Sequence, residues 1–185
     1  MSISIFFICR EGKHWSSKNA EQLLNFSSKL HLKPIAFELG NEPNSLKHAL
    51  NASVPGYQLG KDFNRLRKVL NRYPLYNAST LVGPDVNNIK KCNPEHLKKC
   101  RALKYLQNFF KGINNGILNA ITWHHYYLNG HNATLKDFLN VKTLENLQVQ
   151  MDLVRDVLKR EGKQTSHLWL GETSSAFGGG IMSII

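Results

Sequence analysis

The chain has 185 residues, and its 42% hydrophobic content excludes a largely disordered protein and suffices for one domain with a core. Lysine and arginine number 24 against 13 acidic residues, a net charge of +11, which favours an anionic partner: nucleic acid, an acidic membrane or an acidic polysaccharide. A basic surface that only confers solubility is the simpler alternative. No segment approaches the ~20 apolar residues that a transmembrane helix needs.

Apolar segments rich in β-forming residues predict four strands, and amphipathic segments between them predict four helices. In chain order the prediction is a helix at 16–30, a strand at 34–39, a helix at 60–70, a strand at 80–86, a helix at 97–113, a strand at 120–127, a helix at 143–158 and a strand at 167–170. Apolar strands that alternate with amphipathic helices are typical of parallel sheets with helical crossovers. The predicted fold class is therefore α/β.

A doubly wound sheet and a (β/α)8 TIM barrel both fit this order. No glycine-rich nucleotide turn follows any predicted strand, which disfavours a Rossmann fold. Polar residues cluster instead at the carboxyl ends of the strands, where barrel enzymes keep their chemistry: Glu42, Asp85, His124 and Glu172. Because a barrel needs eight strands and typically ~250 residues, the prediction is an incomplete barrel of four strands, with residues 1–14 able to add a fifth.

The cysteines and sequons bear on the compartment. Cys92 and Cys100 either close a short loop as a disulfide or remain thiols, and the odd count leaves at least one of Cys9, Cys92 and Cys100 unpaired within the chain. Their spacing does not match a structural zinc site, and no metal or cofactor is expected. Four N-x-S/T sequons favour the secretory pathway, although no signal peptide is visible: Asn25, Asn51, Asn77 and Asn132.

Two glutamates follow predicted strands in a manner that suggests acid–base chemistry. Glu42 stands in an Asn-Glu-Pro sequence, where Pro43 is expected to hold it in an extended backbone; an ordinary turn is the alternative. Glu172 follows Gly171, and its alternative is a residue at a helix N-terminus. A glycosidase requires two carboxyl groups on either side of one sugar linkage. We therefore expect Glu42 and Glu172 to face a common cleft.

Four longer motifs, at residues 37–45, 81–86, 121–130 and 169–180, strengthen this interpretation: FELGNEPNS, LVGPDV, ITWHHYYLNG and WLGETSSAFGGG. In this order and spacing they resemble the heparanase family, over about residues 15–180. The resemblance implies a retaining endo-β-glucuronidase that hydrolyses heparan sulfate, with Glu42 as acid/base and Glu172 as nucleophile. It also implies that the four strands are barrel strands four to seven. The implied location is secreted, lysosomal or in the extracellular matrix, for a glycoprotein associated with the membrane.

The same resemblance implies a set of substrate contacts. Tyr126 is expected to hydrogen-bond the nucleophile, and His125 to point away from His124 because neighbouring strand residues face opposite sides. His131 replaces a family arginine, which predicts a weaker and pH-dependent contact. Lys47 follows an apparent one-residue deletion. The full set of implied contacts is Asn41, Lys47, Lys90, Lys91, His124, Tyr126, His131, Gly178 and Gly179.

Departures from the family suggest a partial chain. The prediction divides it into a divergent lead-in at 1–14, a partial glycosidase barrel at 15–180 and a divergent tail at 181–185, with a missing segment or partner chain completing the barrel. Two functions stay open: a hydrolase of heparan sulfate or heparin-like polysaccharides, or a truncated, non-catalytic fragment that at most binds sulfated glycosaminoglycans. Nucleic-acid binding ranks last, because no aromatic residues interleave the basic stretch at 90–101.

Overall fold

The computed structural model describes residues 2–5, 9–12, 14–47, 51–89, 100–163 and 167–178. Seven strands and six helices lie wholly within these ranges. In chain order they are β1 (Ser2–Ile5), β2 (Arg10–Glu11), β3 (His14–Trp15), α1 (Lys18–Lys29), β4 (Ala36–Leu39), α2 (Gly56–Leu70), β5 (Thr80–Val86), α3 (Arg101–Gly112), β6 (Ala120–Asn129), α4 (Leu135–Phe138), α5 (Val141–Leu144), α6 (Asn146–Arg160) and β7 (His167–Phe177).

Five strands form one sheet in the order β1-β4-β5-β6-β7, and every neighbouring pair is parallel. The predicted α/β fold with a parallel sheet is confirmed. β1 lies in the segment that was expected to add a fifth strand, and Ser2 pairs with Ala36 of β4. β2 and β3 form a separate antiparallel pair. The domain boundaries at residues 15 and 180 stay predictions.

The last strand is longer than predicted. β7 runs to Phe177, whereas the apolar pattern predicted an end at residue 170. Glu172 therefore lies inside a strand, and the alternative of a helix N-terminus at this position is wrong. Polar residues within β7 concealed its length from the sequence pattern. The strand stands at an edge of the five-stranded sheet and most of its residues are exposed, so apolar side chains are not required there.

The two faces of the sheet differ in character. One face packs against the helices in a large apolar core that includes Phe37, Phe63 and Phe109. The opposite face carries a small separate cluster of Ala36, Val82 and Ala120. Small side chains on this second face leave room for the polar residues that follow on the same strands.

The buried carboxylate of Asp62 on α2 binds the β2–β3 pair through an ion pair and hydrogen bonds. Asp62 Oδ2 lies 2.7 Å from Arg10 Nη2, and Asp62 Oδ1 accepts hydrogen bonds from the Trp15 backbone N–H at 3.3 Å and from Gln58 at 2.9 Å. Asp62 is only 2% exposed, so its negative charge depends on these donors.

Replacing Asp62 with alanine is expected to destabilise the chain by about 3 kcal/mol or more, because it removes the carboxylate that balances a largely buried guanidinium. Denaturant unfolding of Asp62→Ala measures the loss. The control is Asp152→Ala, which removes the exposed Asp152–Arg155 ion pair and should cost less than about 1 kcal/mol. Equal losses for the two variants would contradict a stabilising role for the buried pair.

The cysteines differ in state. Cys100 is disulfide-bonded and Cys9 is a free thiol, whereas Cys92 lies outside the described residues.

Among the helices of the described ranges, none combines the length and the apolar character needed to cross a bilayer.

Candidate active site

Two irregularities in the strand pairing shape the site. Between β5 and β6 the register shifts at Pro84/Val86, so that Asp85 is an extra residue with a left-handed backbone, φ 56°. Between β6 and β7 it shifts after Trp123, so that Gly171 is skipped and His124 pairs with Glu172. A β-bulge re-aims the side chains that follow it. Without the second shift Glu172 would face the side opposite His124.

The residues at the two register shifts, Asp85 of β5 and Gly171 of β7, approach each other across β6. A Cβ atom added to Gly171 would overlap Asp85 Oδ1, so glycine is required for the Asp85 carboxylate to turn inward at this level. Asp85 and Glu172 thereby reach the buried ring of His124 from the two neighbouring strands.

His124 contacts three carboxylates. Its Nδ1 lies 2.9 Å from Glu42 Oε1 and 3.4 Å from Glu172 Oε2. Its Nε2 lies 2.9 Å from Asp85 Oδ2, and the geometry of this contact is that of an ion pair without an aligned hydrogen bond. Because Nδ1 contacts both glutamates, Glu42 Oε1 and Glu172 Oε2 lie at most about 6.3 Å apart. The side chains of Glu42 and Glu172 are 35% and 45% exposed, so both can be reached from solvent.

The charge of His124 follows from these contacts. Burial of the ring acts to lower its pKa, but the contacts with Asp85 and Glu42 outweigh burial and raise the pKa to about 10. The ring is therefore an imidazolium at neutral pH. Both of its nitrogens then carry protons and act as hydrogen-bond donors toward the carboxyl groups that surround the ring.

The backbone of Glu42 differs from the prediction. The expectation that Pro43 holds Glu42 extended is wrong, because Glu42 has a left-handed backbone with φ 43°. The Glu42 N–H donates to the Asp85 carbonyl at 3.0 Å, and its own carbonyl accepts from Ser45 N–H at 2.9 Å. Glu42 thus opens a turn, as in the alternative interpretation, and the same turn directs its carboxylate to His124.

Glu172 is held by two further residues. Tyr126 Oη donates to Glu172 Oε2 at 2.8 Å, which is the contact that the sequence analysis expected. This hydrogen bond to an anion is the first cause of the raised pKa of Tyr126. In the amide orientation that satisfies its neighbours, Asn41 Nδ2 donates at 3.2 Å to both Glu172 Oε1 and Asp85 Oδ2.

Some predicted contacts lie nearer the rim of the site. Gly178 has a left-handed backbone, φ 80°, and a Cβ there would come within 2.7 Å of His131 Nε2, so these two residues are neighbours. Lys47 is exposed after the Glu42 turn and forms no ion pair within the described part of the chain. Lys90, Lys91 and Gly179 lie outside the described residues.

His125 occupies the other face of β6, as predicted. Its ring is fully buried and lies edge-on to Tyr127 at 4.3 Å between ring centroids. Burial lowers its pKa. The two adjacent histidines therefore differ in charge at neutral pH and do not face a common site.

Sequence reasoning missed two members of the site and gave a third no role. Asp85 was noted only as a residue at the rim, whereas Glu38 and Thr122 were not identified at all. Thr122 Oγ1 donates to Glu38 Oε1 at 2.8 Å and accepts the Asp85 N–H at 2.9 Å. A glutamate between Phe37 and Leu39 in a buried strand was the available signal, because carboxyl groups are rarely buried without a partner.

The four sequon asparagines are exposed on the structure: Asn25, Asn51, Asn77 and Asn132. Asn25 lies on α1, and Asn51 follows the Glu42 turn with a left-handed backbone, φ 49°. Exposure is compatible with glycosylation, which stays a prediction.

Comparison with known proteins gives one matching family and several relatives. Residues 9–184 match the family described as "Glycosyl hydrolase family 79, N-terminal domain". Heparanase from Gallus gallus is 39% identical over 92% of this chain, hyaluronoglucuronidase from Hirudo nipponia is 34% identical over 92%, and inactive heparanase-2 from Mus musculus is 30% identical over 89%. The matches cover 30%, 32% and 26% of those proteins, so the chain spans about a third of their length or less.

The fold has a counterpart among solved structures. The family 44 endoglucanase Cel44A from Clostridium thermocellum superposes with a TM-score of 0.54 over 96% of this chain and 45% of the endoglucanase chain, at 12% identity. At this identity the likeness concerns the fold alone. The family match covers nearly the whole chain and includes the His124 cluster of carboxylates. This protein belongs to glycosyl hydrolase family 79.

Proposed function

We propose that this chain carries the catalytic centre of a retaining endo-β-glucuronidase that hydrolyses heparan sulfate, with Glu42 as acid/base and Glu172 as nucleophile. One observation carries the proposal: His124 Nδ1 contacts both carboxylates, which places Glu42 Oε1 and Glu172 Oε2 no more than about 6.3 Å apart. Retaining glycosidases have carboxyl groups ~5–5.5 Å apart, and inverting enzymes need ~6.5–9.5 Å to admit a water molecule.

The proposed reaction has two steps. Glu172 attacks the anomeric carbon while Glu42 gives its proton to the departing glycosidic oxygen, which leaves a covalent glycosyl-enzyme. Glu42, now ionised, takes a proton from a water molecule that attacks the same carbon and releases Glu172. Two displacements return the original anomeric configuration. Tyr126 and Asn41 donate hydrogen bonds to the Glu172 carboxylate and hold it in place for the attack.

The substrate proposal rests on charge and on the relatives. A net charge of +11 favours an anionic polysaccharide, and two of the relatives bear names that denote action on such polymers. Lys47, His131 and the backbone of Gly178 are proposed to meet carboxylate or sulfate groups at the rim. Lys90, Lys91 and Gly179 are proposed to extend this surface.

The proposed enzyme also needs a closed scaffold. β1 and β7 are the edges of the described sheet, and Trp169 and Phe177 of β7 are 39% and 47% exposed. We propose that further strands, from this polypeptide or a partner, close the sheet into a (β/α)8 barrel. Secretion to the lysosome or matrix, with glycosylation at the exposed sequons, is part of the same proposal.

A second function is favoured by a relative whose name marks it as inactive. In this alternative, residues 1–185 bind sulfated glycosaminoglycans without cleaving them. Family membership alone does not separate the two functions. The two functions differ in whether Glu42 and Glu172 cleave a bound polysaccharide.

The test compares residues 1–185 alone with a chimera in which they replace the matching segment of Gallus gallus heparanase. Product size analysis with heparan sulfate, and separately with hyaluronan, measures cleavage. The proposal predicts cleavage of heparan sulfate by the chimera and little or none by the chain alone. A folded chimera that binds heparan sulfate without cleaving it would support the binding function and contradict the hydrolase.

Tyr126→Phe in the chimera is expected to lower kcat by about ten- to a hundredfold, because Glu172 loses a hydrogen bond that holds the attacking oxygen in place. KM should change little, since the hydroxyl is directed at the nucleophile. The matched control is Tyr127→Phe on the opposite face of the same strand. Similar kcat values for the two variants would contradict the proposed contribution of Tyr126.

A further inference from the structure

The Glu38 carboxyl lies beneath the candidate site and is not part of the proposed reaction. Glu38 is 8% exposed and sits on β4, on the face that carries Ala36. Its Oε1 accepts the hydroxyl hydrogen of Thr122, which is 2% exposed, at 2.8 Å. Burying an ionisable side chain at this depth costs desolvation free energy, which a specific hydrogen bond can offset.

Thr122 links Glu38 to the bulge at Asp85. The Asp85 N–H belongs to the extra residue that the register shift takes out of the strand ladder, and Thr122 Oγ1 accepts it at 2.9 Å. A hydroxyl has one hydrogen to donate. Because Thr122 gives that hydrogen to Glu38, its oxygen lone pairs face Asp85, and the hydroxyl acts there as an acceptor.

We propose that Glu38 is a positioning residue for the carboxylate pair, acting through the Thr122 hydroxyl on the Asp85 bulge. Asp85 transmits the effect by two routes: its carbonyl accepts the Glu42 N–H at 3.0 Å, and its carboxylate lies 2.9 Å from His124. The functional meaning rests on the proposed roles of Glu42 and Glu172. The hydrogen-bond link itself does not depend on glycosidase activity.

The surroundings of Glu38 fit a neutral carboxyl that needs no counter-charge of its own. The pKa of Glu38 is raised to about 8, mainly by burial and next by the nearby Asp85 carboxylate. The Thr122 hydrogen bond and the charge of His124 act in the opposite direction, and Glu172 adds a small increase. At neutral pH an amide in this place would therefore serve the same purpose as the acid.

The test is amide hydrogen exchange by NMR on residues 1–185 at pH 6, where Glu38 is protonated. Glu38→Met keeps the length of the side chain but removes the acceptor, and Thr122→Val removes the hydroxyl. In both variants the Asp85 and Glu42 amides should exchange at least about tenfold faster, the loss expected for one buried hydrogen bond. Glu38→Gln and Thr122→Ser keep the link and should retain protection.

A control amide separates this effect from general loosening. Leu81 N–H is also held by a side chain of the same sheet region, Asn119 Oδ1 at 2.8 Å, and its exchange should not change. Unchanged Asp85 protection in Glu38→Met, or loss of protection in Glu38→Gln equal to that in Glu38→Met, would overturn the proposal. If Glu38→Met does not fold, Glu38→Leu, which also removes the acceptor, takes its place with the same two outcomes.

A kinetic readout in the chimera completes the test. Glu38→Met should reduce kcat with little effect on KM, and Glu38→Gln should restore it, because an amide oxygen accepts the Thr122 hydrogen equally well. If the chimera is inactive, the exchange result still stands and the proposed hydrolase fails separately.

Discussion

Glu172→Gln in the chimera is expected to abolish heparan sulfate hydrolysis, with a loss of at least about 10³-fold in kcat. The amide has nearly the same shape as the carboxylate, but it cannot form the glycosyl-enzyme bond. Tyr126 and Asn41 donate to different oxygens of Glu172, so the amide keeps an acceptor for only one of them. Because the Glu172 side chain is 45% exposed, water can replace the lost contact and the fold should be unaffected. Circular dichroism checks folding, and product analysis checks turnover.

Glu42→Gln should fail in a different way. It removes the proton that the leaving oxygen needs, so substrates with a good leaving group, such as an aryl glucuronide, should still form the covalent intermediate. Added azide should then restore turnover, since a small anion attacks without a general base. Glu145→Gln, an exposed residue on the helical side, is the control. Residual turnover of Glu172→Gln close to that of this control would refute the assignment of the nucleophile.

Glu38→Gln is expected to stabilise the chain at alkaline pH and to change little at acid pH. The pKa of Glu38 is raised from 4.5 to about 8 in the folded protein, mainly by burial. Between these values the folded state keeps a proton that the unfolded state releases. The free energy of unfolding contributed by Glu38 is therefore fully present below pH 4.5 and falls as pH rises toward about 8, by at most about 1.4 kcal/mol per pH unit.

Glutamine has no such titration, so the gap between Glu38→Gln and the unmodified chain should widen from pH 5 to pH 8, to as much as a few kcal/mol. Denaturant unfolding at the two pH values measures it. Glu145→Gln, the same substitution at an exposed position, again serves as the control. Parallel pH profiles for Glu38→Gln and the unmodified chain would show that Glu38 does not hold its proton in the folded state.

The α/β fold class could be predicted from the sequence because apolar strands and amphipathic helices alternate clearly along it. It failed at the carboxyl end of β7, where the strand continues through exposed polar residues to Phe177. An edge strand has few apolar contacts to make, so its hydrophobic pattern fades before the strand ends. The short helices α4 and α5 were also missed, since four residues are too few to show a helical period.

The site was predicted in outline and missed in its geometry. Glu42, Glu172, Asn41 and Tyr126 were named from their motifs, and the structure brings them together at His124 or its carboxylate partners. The bulges at Asp85 and Gly171 could not be derived from strand periodicity, because one extra residue reverses which side chains face inward. Gly171 within a strand was the available hint.

Mass spectrometry of the chimera after treatment with a 2-deoxy-2-fluoro glucuronide that carries a good leaving group tests the central assignment most directly. The fluorine slows both steps and the good leaving group restores only the first, so the glycosyl-enzyme accumulates and its peptide can be sequenced. We expect one adduct per chain, on Glu172. Attachment to Glu42 or to another residue, or turnover of the reagent without any adduct, would mean that these two side chains do not share one sugar linkage in the proposed roles.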